Sequence, residues 1–218
     1  MKLFRLIAAA VVLAAAAPAA FADKKSESFV QANADVVLGV LNDRTLTPAQ
    51  RETKFGQYMN QFANMEAIAK RVIGVKARSL NDAEFKRYYD KFETYALEVY
   101  QVHFDQFRGE TLRVTGSKDD GPQRSTVESV IKSSETGKDT KVFWDVLLSN
   151  DGKTYRVRDV GIELGGSILW LAQEQQAQFV GFLNNNNGDI NKLIGRIDVL
   201  LADMDARKKD GRGSAYKG

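Results

Sequence analysis

One histidine and no cysteine set narrow limits on the chemistry open to this 218-residue chain. The common zinc ligand sets cannot be assembled from it. His103 falls on the apolar stripe of a long predicted helix, where a lone histidine is ordinarily a core or edge residue. It becomes a catalytic base only if a partner stands beside it, and Asp159 is the acid that a polar pocket mouth would offer. Asp145 and Asp159 fall on neighbouring predicted strands, where they would make a carboxylate pair; a solvated strand face with an ion pair to Arg156 or Arg158 accounts for the same residues. Gly165-Gly166-Ser167 has the outline of a nucleophile turn but lacks the G-x-S-x-G spacing, and a helix start explains it equally well. No phosphate-binding or dinucleotide-binding glycine pattern occurs. Catalytic residues, a metal site and cofactors are therefore not expected.

The elements that must carry these residues run in the order helices, strands, helices. Phe29, Asn33, Val36, Val37, Val40 and Leu41 recur at helical spacing between Ser26 and Leu41. Thr47-Pro48-Ala49-Gln50 combines an N-cap, a proline at the first helical position and a capping-box glutamine. The stripe Phe55, Tyr58, Met59 and Phe62 follows. Asn64 caps a short third helix that Gly74 ends. A fourth helix starts at Asn81-Asp82-Ala83-Glu84, carries Phe85, Tyr89, Phe92, Ala96, Val99 and His103, and stops near Gly109. It is the longest and is expected to lie across a sheet.

Strand-like segments follow at 110–115, 123–132, 140–149 and 154–164, joined by polar, glycine-rich loops, which argues for an antiparallel meander. Val142, Trp144, Val146 and Leu148 share one face, with Lys141 and Asp145 on the other. In the last segment the apolar phase changes, from Tyr155 and Val157 to Val160, Ile162 and Leu164. A bulge near Arg158-Asp159 would restore one inward face and bend the sheet. Two helices finish the fold, one through Phe179, Val180, Phe182 and Leu183, the other from Asp189 to Met204. The fold class is α+β: a bent antiparallel sheet of about four strands with helices packed on one face.

The start of the chain reads as a secretory signal peptide. A basic Met1-Lys2-Leu3-Phe4-Arg5 precedes an apolar run and the triplet Ala20-Phe21-Ala22, so cleavage is expected after Ala22. Residues 1–22 contribute two cations and no acid to totals of 31 Lys+Arg and 28 Asp+Glu, so the remainder is nearly neutral. One domain, residues 23–206, is expected, with a disordered basic tail at 207–218. Lys208, Lys209 and Arg212 in that tail suit anionic membrane surfaces or solubility better than nucleic acid. A monomer is the default expectation.

What remains is apolar. Aromatic side chains of the long helix are expected to face Trp144, Val146, Val157, Val160 and Ile162 of the bent sheet, as a closed core or as a pocket.

Val142-Phe143-Trp144-Asp145-Val146, then Gly152-Lys153-Thr154-Tyr155-Arg156-Val157-Arg158-Asp159-Val160-Gly161-Ile162-Glu163, then Ser167 and Gln178-Phe179, resemble the MlaC (toluene-tolerance) family. Ile68-Ala69-Lys70-Arg71-Val72-Ile73-Gly74 is similar to the family's I-A-x-x-V-L-G segment. Two features depart from the pattern. The aromatic after the glycine is absent at Val75-Lys76, and E-G-V-S is expanded to Glu163-Leu164-Gly165-Gly166-Ser167.

The resemblance implies a periplasmic carrier of phospholipid, whose cargo passes between an inner-membrane ABC transporter complex and an outer-membrane lipoprotein complex to keep the outer membrane asymmetric. A hopanoid-carrying HpnM-like branch and a non-catalytic periplasmic adaptor are the alternatives. The resemblance implies an apolar cavity enclosed by sheet and helices and lined by Ile73, Phe85, Tyr89, Phe92, Tyr95, Trp144, Val146, Val157, Val160 and Ile162. A carrier answers a physical need: exposing ~30 lipid methylenes at ~0.8 kcal/mol each would cost on the order of 24 kcal/mol.

Overall fold

The structure is a computed structural model that describes residues 23–105, 107, 109–132 and 139–209. The expected signal peptide and the tail beyond Lys209 lie outside the described residues. Arg207, Lys208 and Lys209, expected in a disordered tail, instead complete the last turn of a helix. Arg207 reaches back to Asp203, and Lys208 pairs with Glu98 across the helix interface.

Among the described residues, six α-helices and five strands form the fold. Helix α1 (Lys24–Asn42) is capped by Asp23, whose carboxylate accepts from the Lys25 N–H and from the Tyr155 hydroxyl. Helix α2 (Pro48–Phe62) opens with the Thr47/Gln50 capping box read from the sequence. Helix α3 (Met65–Val72) is capped by Asn64. It ends just before Gly74, at φ 58°, but the chain then makes an unforeseen 3₁₀ turn over Gly74–Ser79. In helix α4 (Asp82–Asp105) the Asn81 and Glu84 side chains each accept the other's backbone N–H. Its 24 residues span about 36 Å. Helices α5 (Leu171–Asn185) and α6 (Ile190–Lys209) close the chain. Among the described residues no helix is long and apolar enough to cross a membrane.

The sheet is an antiparallel meander, β1 (Thr111–Gly121), β2 (Arg124–Lys132), β3 (Asp139–Leu148), β4 (Tyr155–Leu164) and β5 (Ser167–Trp170). Val146 pairs with Val157 and Asp145 with Asp159, which leaves Arg158 as an extra residue in β4. This is the bulge that the change of apolar phase required. Val142, Trp144 and Val146 thereby lie opposite Ile162, Val160 and Val157 in one inward face.

Three features differ from the sequence reading. The stretch from Gly116 onward is not a loop: β1 continues to Gly121 and turns through Pro122-Gln123. Polar pairs hold it where apolar ones are lacking, Ser117 to Glu27, Ser125 to Asp119 and Thr126 to Asp120. A fifth strand stands where a helix was expected. Gly165 and Gly166, at φ 58° and 82°, make a two-residue turn that folds Ser167–Trp170 back onto β4. Finally, the closest backbone approaches of α4 are to helices and not to the sheet. Its backbone neighbours are α6, α3 and α2, and it meets the sheet through Phe104, whose ring is 6.0 Å from that of Trp144.

The two edges of the sheet are covered differently. Along β4, β5 pairs with residues 161–164, and Ala63 and Asn64 meet Val157, the latter through an N–H to its carbonyl. Along β1, the Gln31 amide of α1 donates to the Leu112 carbonyl at 3.1 Å and accepts from the Val114 N–H at 2.8 Å.

Gly161 admits β5. Trp170 pairs with it and reaches over to Phe143, with ring centroids 6.5 Å apart. A Cβ on Gly161 would come 2.6 Å from Ile168 Cγ2 and 3.0 Å from the Trp170 ring. Gly161→Ala is therefore expected to destabilise the fold by ~1–3 kcal/mol, as overpacking does. In urea unfolding, Trp170→Ala in the same chain should recover part of that loss; equal losses in both backgrounds would show that the ring is not what excludes a side chain.

Candidate functional site

The sheet's inward face and the helices enclose one continuous apolar cluster. Eight of the ten expected lining residues are buried within it: Ile73 on the helical side with Phe92 and Tyr95, and Trp144, Val146, Val157, Val160 and Ile162 on the sheet side. Phe85 and Tyr89 are half-buried at its margin. Lys70 Nζ lies 5.0 Å over the Phe85 ring. The Tyr89 hydroxyl donates to Glu93 in a polar cleft of about 420 Å³ that Asn60, Asn64, Glu66 and Arg156 also line.

Rings organise the helical half of the cluster. Phe85, Tyr88 and Phe92 stand at successive steps along α4, and Phe179 of α5 packs edge-on against Phe92 and at 5.7 Å from Tyr95. A second group joins Phe55 of α2 to Phe104 and so to Trp144. Tyr88, Phe104 and Phe179 were not among the expected lining residues. Their helical spacing carried the information, but which partners they meet depends on how α4, α5 and the sheet cross. Several polar atoms here are tied down. Trp144 Nε1–H donates to Ser129 Oγ at 2.9 Å, and that hydroxyl donates to the Val142 carbonyl. The Tyr88 hydroxyl donates to the Ala69 carbonyl, and burial raises its pKa well above the ordinary tyrosine value.

Between α5 and α6 a largely apolar cleft of about 420 Å³ opens, lined by Phe179, Phe182 and Leu200 with Gln178 and Arg196. Phe179 belongs both to this cleft and to the cluster behind it.

Asp145 and Asp159 stand side by side and Arg158 supplies the ion pair read from the sequence, but the face is not solvated. Asp145 and Asp159 are register partners, each 2 % exposed. Asp145 accepts from Arg124 Nε at 2.9 Å and from Arg158 Nε and Nη2 at 2.8 and 2.6 Å. Asp159 accepts at Oδ1 from the Val160 and Ala172 N–H groups, at 2.9 and 2.8 Å, and at Oδ2 from Arg71 at 3.4 Å. Trp170 offers α5 no side-chain cap, so Asp159 caps that helix from the neighbouring strand. Burial raises the Asp159 pKa above the ordinary carboxylate value, and the Ala172 N–H and Arg71 pull the other way. A carboxylate committed in this way organises structure.

The other candidates for chemistry resolve similarly. His103 stands in the last turn of α4, where burial lowers its pKa. Gly165-Gly166-Ser167 is a hairpin turn and the start of β5, not a nucleophile elbow. Among the described residues no group of three His, Cys, Asp or Glu could hold a metal ion.

Fold and site together define an α+β binding architecture, with a greasy interior and buried charges spent on holding strands and helices. The chain belongs to the MlaC family, whose model matches residues 31–198. Among solved structures it is similar to a phospholipid-binding protein from Ralstonia solanacearum, in complex with a phospholipid. Identity is 18%, the TM-score is 0.67, and the match covers 82% of this chain and 97% of that one. No curated protein matches.

Asp159→Ala should strand two buried N–H groups and Arg71, costing ~2–4 kcal/mol in urea unfolding. Asp159→Asn keeps one acceptor and should cost less. Because the folded pKa of Asp159 is raised, the folded chain binds its proton more readily than the unfolded one. Stability of the wild type relative to Asp159→Asn should therefore increase as pH falls through that raised pKa towards 3.8, and a relative decrease over that window would show that the folded pKa is lowered instead.

Proposed function

We propose that this protein is a periplasmic lipid carrier that holds phospholipid acyl chains among the side chains between its bent sheet and its helices. The observation that carries this reading is the continuous apolar cluster, with a cleft between α5 and α6 that shares Phe179 with it. Family membership and the phospholipid held by the Ralstonia solanacearum protein support it. So does the commitment of Asp159, the most plausible acid, to capping α5. Cargo would travel between an inner-membrane ABC transporter complex and an outer-membrane lipoprotein complex, after export directed by residues 1–22.

In this reading the acyl chains lie against Trp144, Val146, Val157, Val160 and Ile162 on one side and Ile73, Phe85, Tyr89, Phe92 and Tyr95 on the other. The walls supply contact area and exclude water. They contribute no group transfer and need no cofactor, the lipid being cargo.

The primary test is organic extraction of the mature protein purified from a bacterial periplasm, followed by mass spectrometry. About one diacyl phospholipid per chain is expected; a protein that is empty and takes up no added lipid overturns the proposal, and hopanoid in its place would change the cargo. Val146→Phe then separates pocket from closed core. In a pocket the larger ring displaces lipid, so occupancy should fall severalfold while the urea midpoint of the lipid-free protein stays within error. In a closed core overpacking should lower stability by ~1–3 kcal/mol.

A further inference from the structure

Among the described residues, Gln175 is a buried side chain whose two polar atoms both lack a hydrogen-bond partner. It stands on the inward stripe of α5, four residues from Leu171 on one side and from Phe179 on the other, both members of the apolar cluster. It is 2 % exposed, and neither Nε2 nor Oε1 has a hydrogen-bond partner. Nearby polar groups are used differently: Asp159 takes the Ala172 N–H one turn earlier, and the Tyr88 hydroxyl takes the Ala69 carbonyl. A primary amide removed from water without replacement bonds is penalised strongly, and methionine would fill the same shape without that penalty.

We infer that Gln175 is where the protein reads its cargo, through a hydrogen bond from its Nε2–H to an ester carbonyl of an acyl lipid. This rests on the carrier reading and adds the class of linkage the site selects. One helical turn separates Gln175 from Phe179, a residue of both the cluster and the α5–α6 cleft, so an acyl chain lying along Phe179 brings its carbonyl end within reach of the amide. The partner is a neutral acceptor. A phosphate would call for a cation at the amide: Arg71, near the start of α5, already faces Asp159, and Arg196 lines the α5–α6 cleft, which Gln175 does not line. The amide offers two donors and one acceptor, so Oε1 remains for a donor on the polar headgroup. An ether-linked or wholly hydrocarbon cargo presents no carbonyl to Nε2.

The test is competitive uptake from vesicles containing equal amounts of diester and diether phosphatidylglycerol with chains of the same length, read by mass spectrometry of the lipid bound to the protein. The wild type should take the ester over the ether about tenfold, which corresponds to ~1.4 kcal/mol. Gln175→Met should take both equally, and its lipid-free form should unfold in urea at no lower a concentration than the wild type. Equal uptake of the two lipids by the wild type overturns the inference, as does an undiminished preference in Gln175→Met. A destabilised Gln175→Met also overturns it, because the amide would then be serving the fold. Failure of the wild type to take up either lipid is a different result, which removes the carrier reading itself.

Discussion

Two aspartates placed opposite each other on adjoining strands, both out of water, repel unless each has its own compensation. Asp145 and Asp159 meet this requirement by unlike means. Asp145 is held between two guanidiniums, Arg124 from β2 and Arg158 from the bulge in β4. Asp159 is held by backbone N–H groups and by Arg71 of α3. The charges thus link β2, β3 and β4 to one another and to the beginnings of the helical layer. Removing water from these groups is unfavourable in itself, and their geometry makes the arrangement specific. The bulge is part of the same solution. Arg158 is available to Asp145 because it is the residue left over when Val157 and Val160 both turn inward.

With the charges confined to that junction, the opposite face is free to be predominantly apolar. Trp144 shows how strictly polarity is managed there: its one N–H is absorbed by Ser129, a residue on the neighbouring strand with no exposed surface. Interiors of this kind discriminate weakly between hydrocarbon chains, because dispersion and burial depend on area and fit. Any finer discrimination must come from isolated polar atoms, and α5 holds one on its inward stripe.

Much of this was legible in the sequence. Capping residues Thr47, Gln50 and Asn64 act locally, and their spacing alone locates helix starts. The phase change around Arg158-Asp159 announced the bulge because side-chain alternation is strict and a slip has visible consequences. Other features depended on distant parts of the chain. Residues 117–120 read as a loop because they are polar and bounded by glycines; hairpin pairing with residues 125–127 and one bond from Ser117 to Glu27 of α1 make them a strand. Ser167–Trp170 read as the approach to a helix because a four-residue strand carries too few alternations to declare itself. Asp145 and Asp159 were recognised as neighbours, but their burial was not, since it is made by arginines on three different elements. For the lining residues the sequence supplied the helical stripes. Which rings meet across α4 and α5 is a property of helix crossing, and composition carries no trace of it.

Gln31 bears on a hazard unrelated to cargo. A sheet with a bare outer strand invites a second copy to add to it. By answering the Leu112 carbonyl and the Val114 N–H together, a single side-chain amide does at that point what a sixth strand would do. The far edge is closed by β5 and the α2–α3 junction. One side-chain amide of the first helix thus blunts the outer strand at that point, and a strand-capping role of this kind would be invisible to any assay that measured ligand alone.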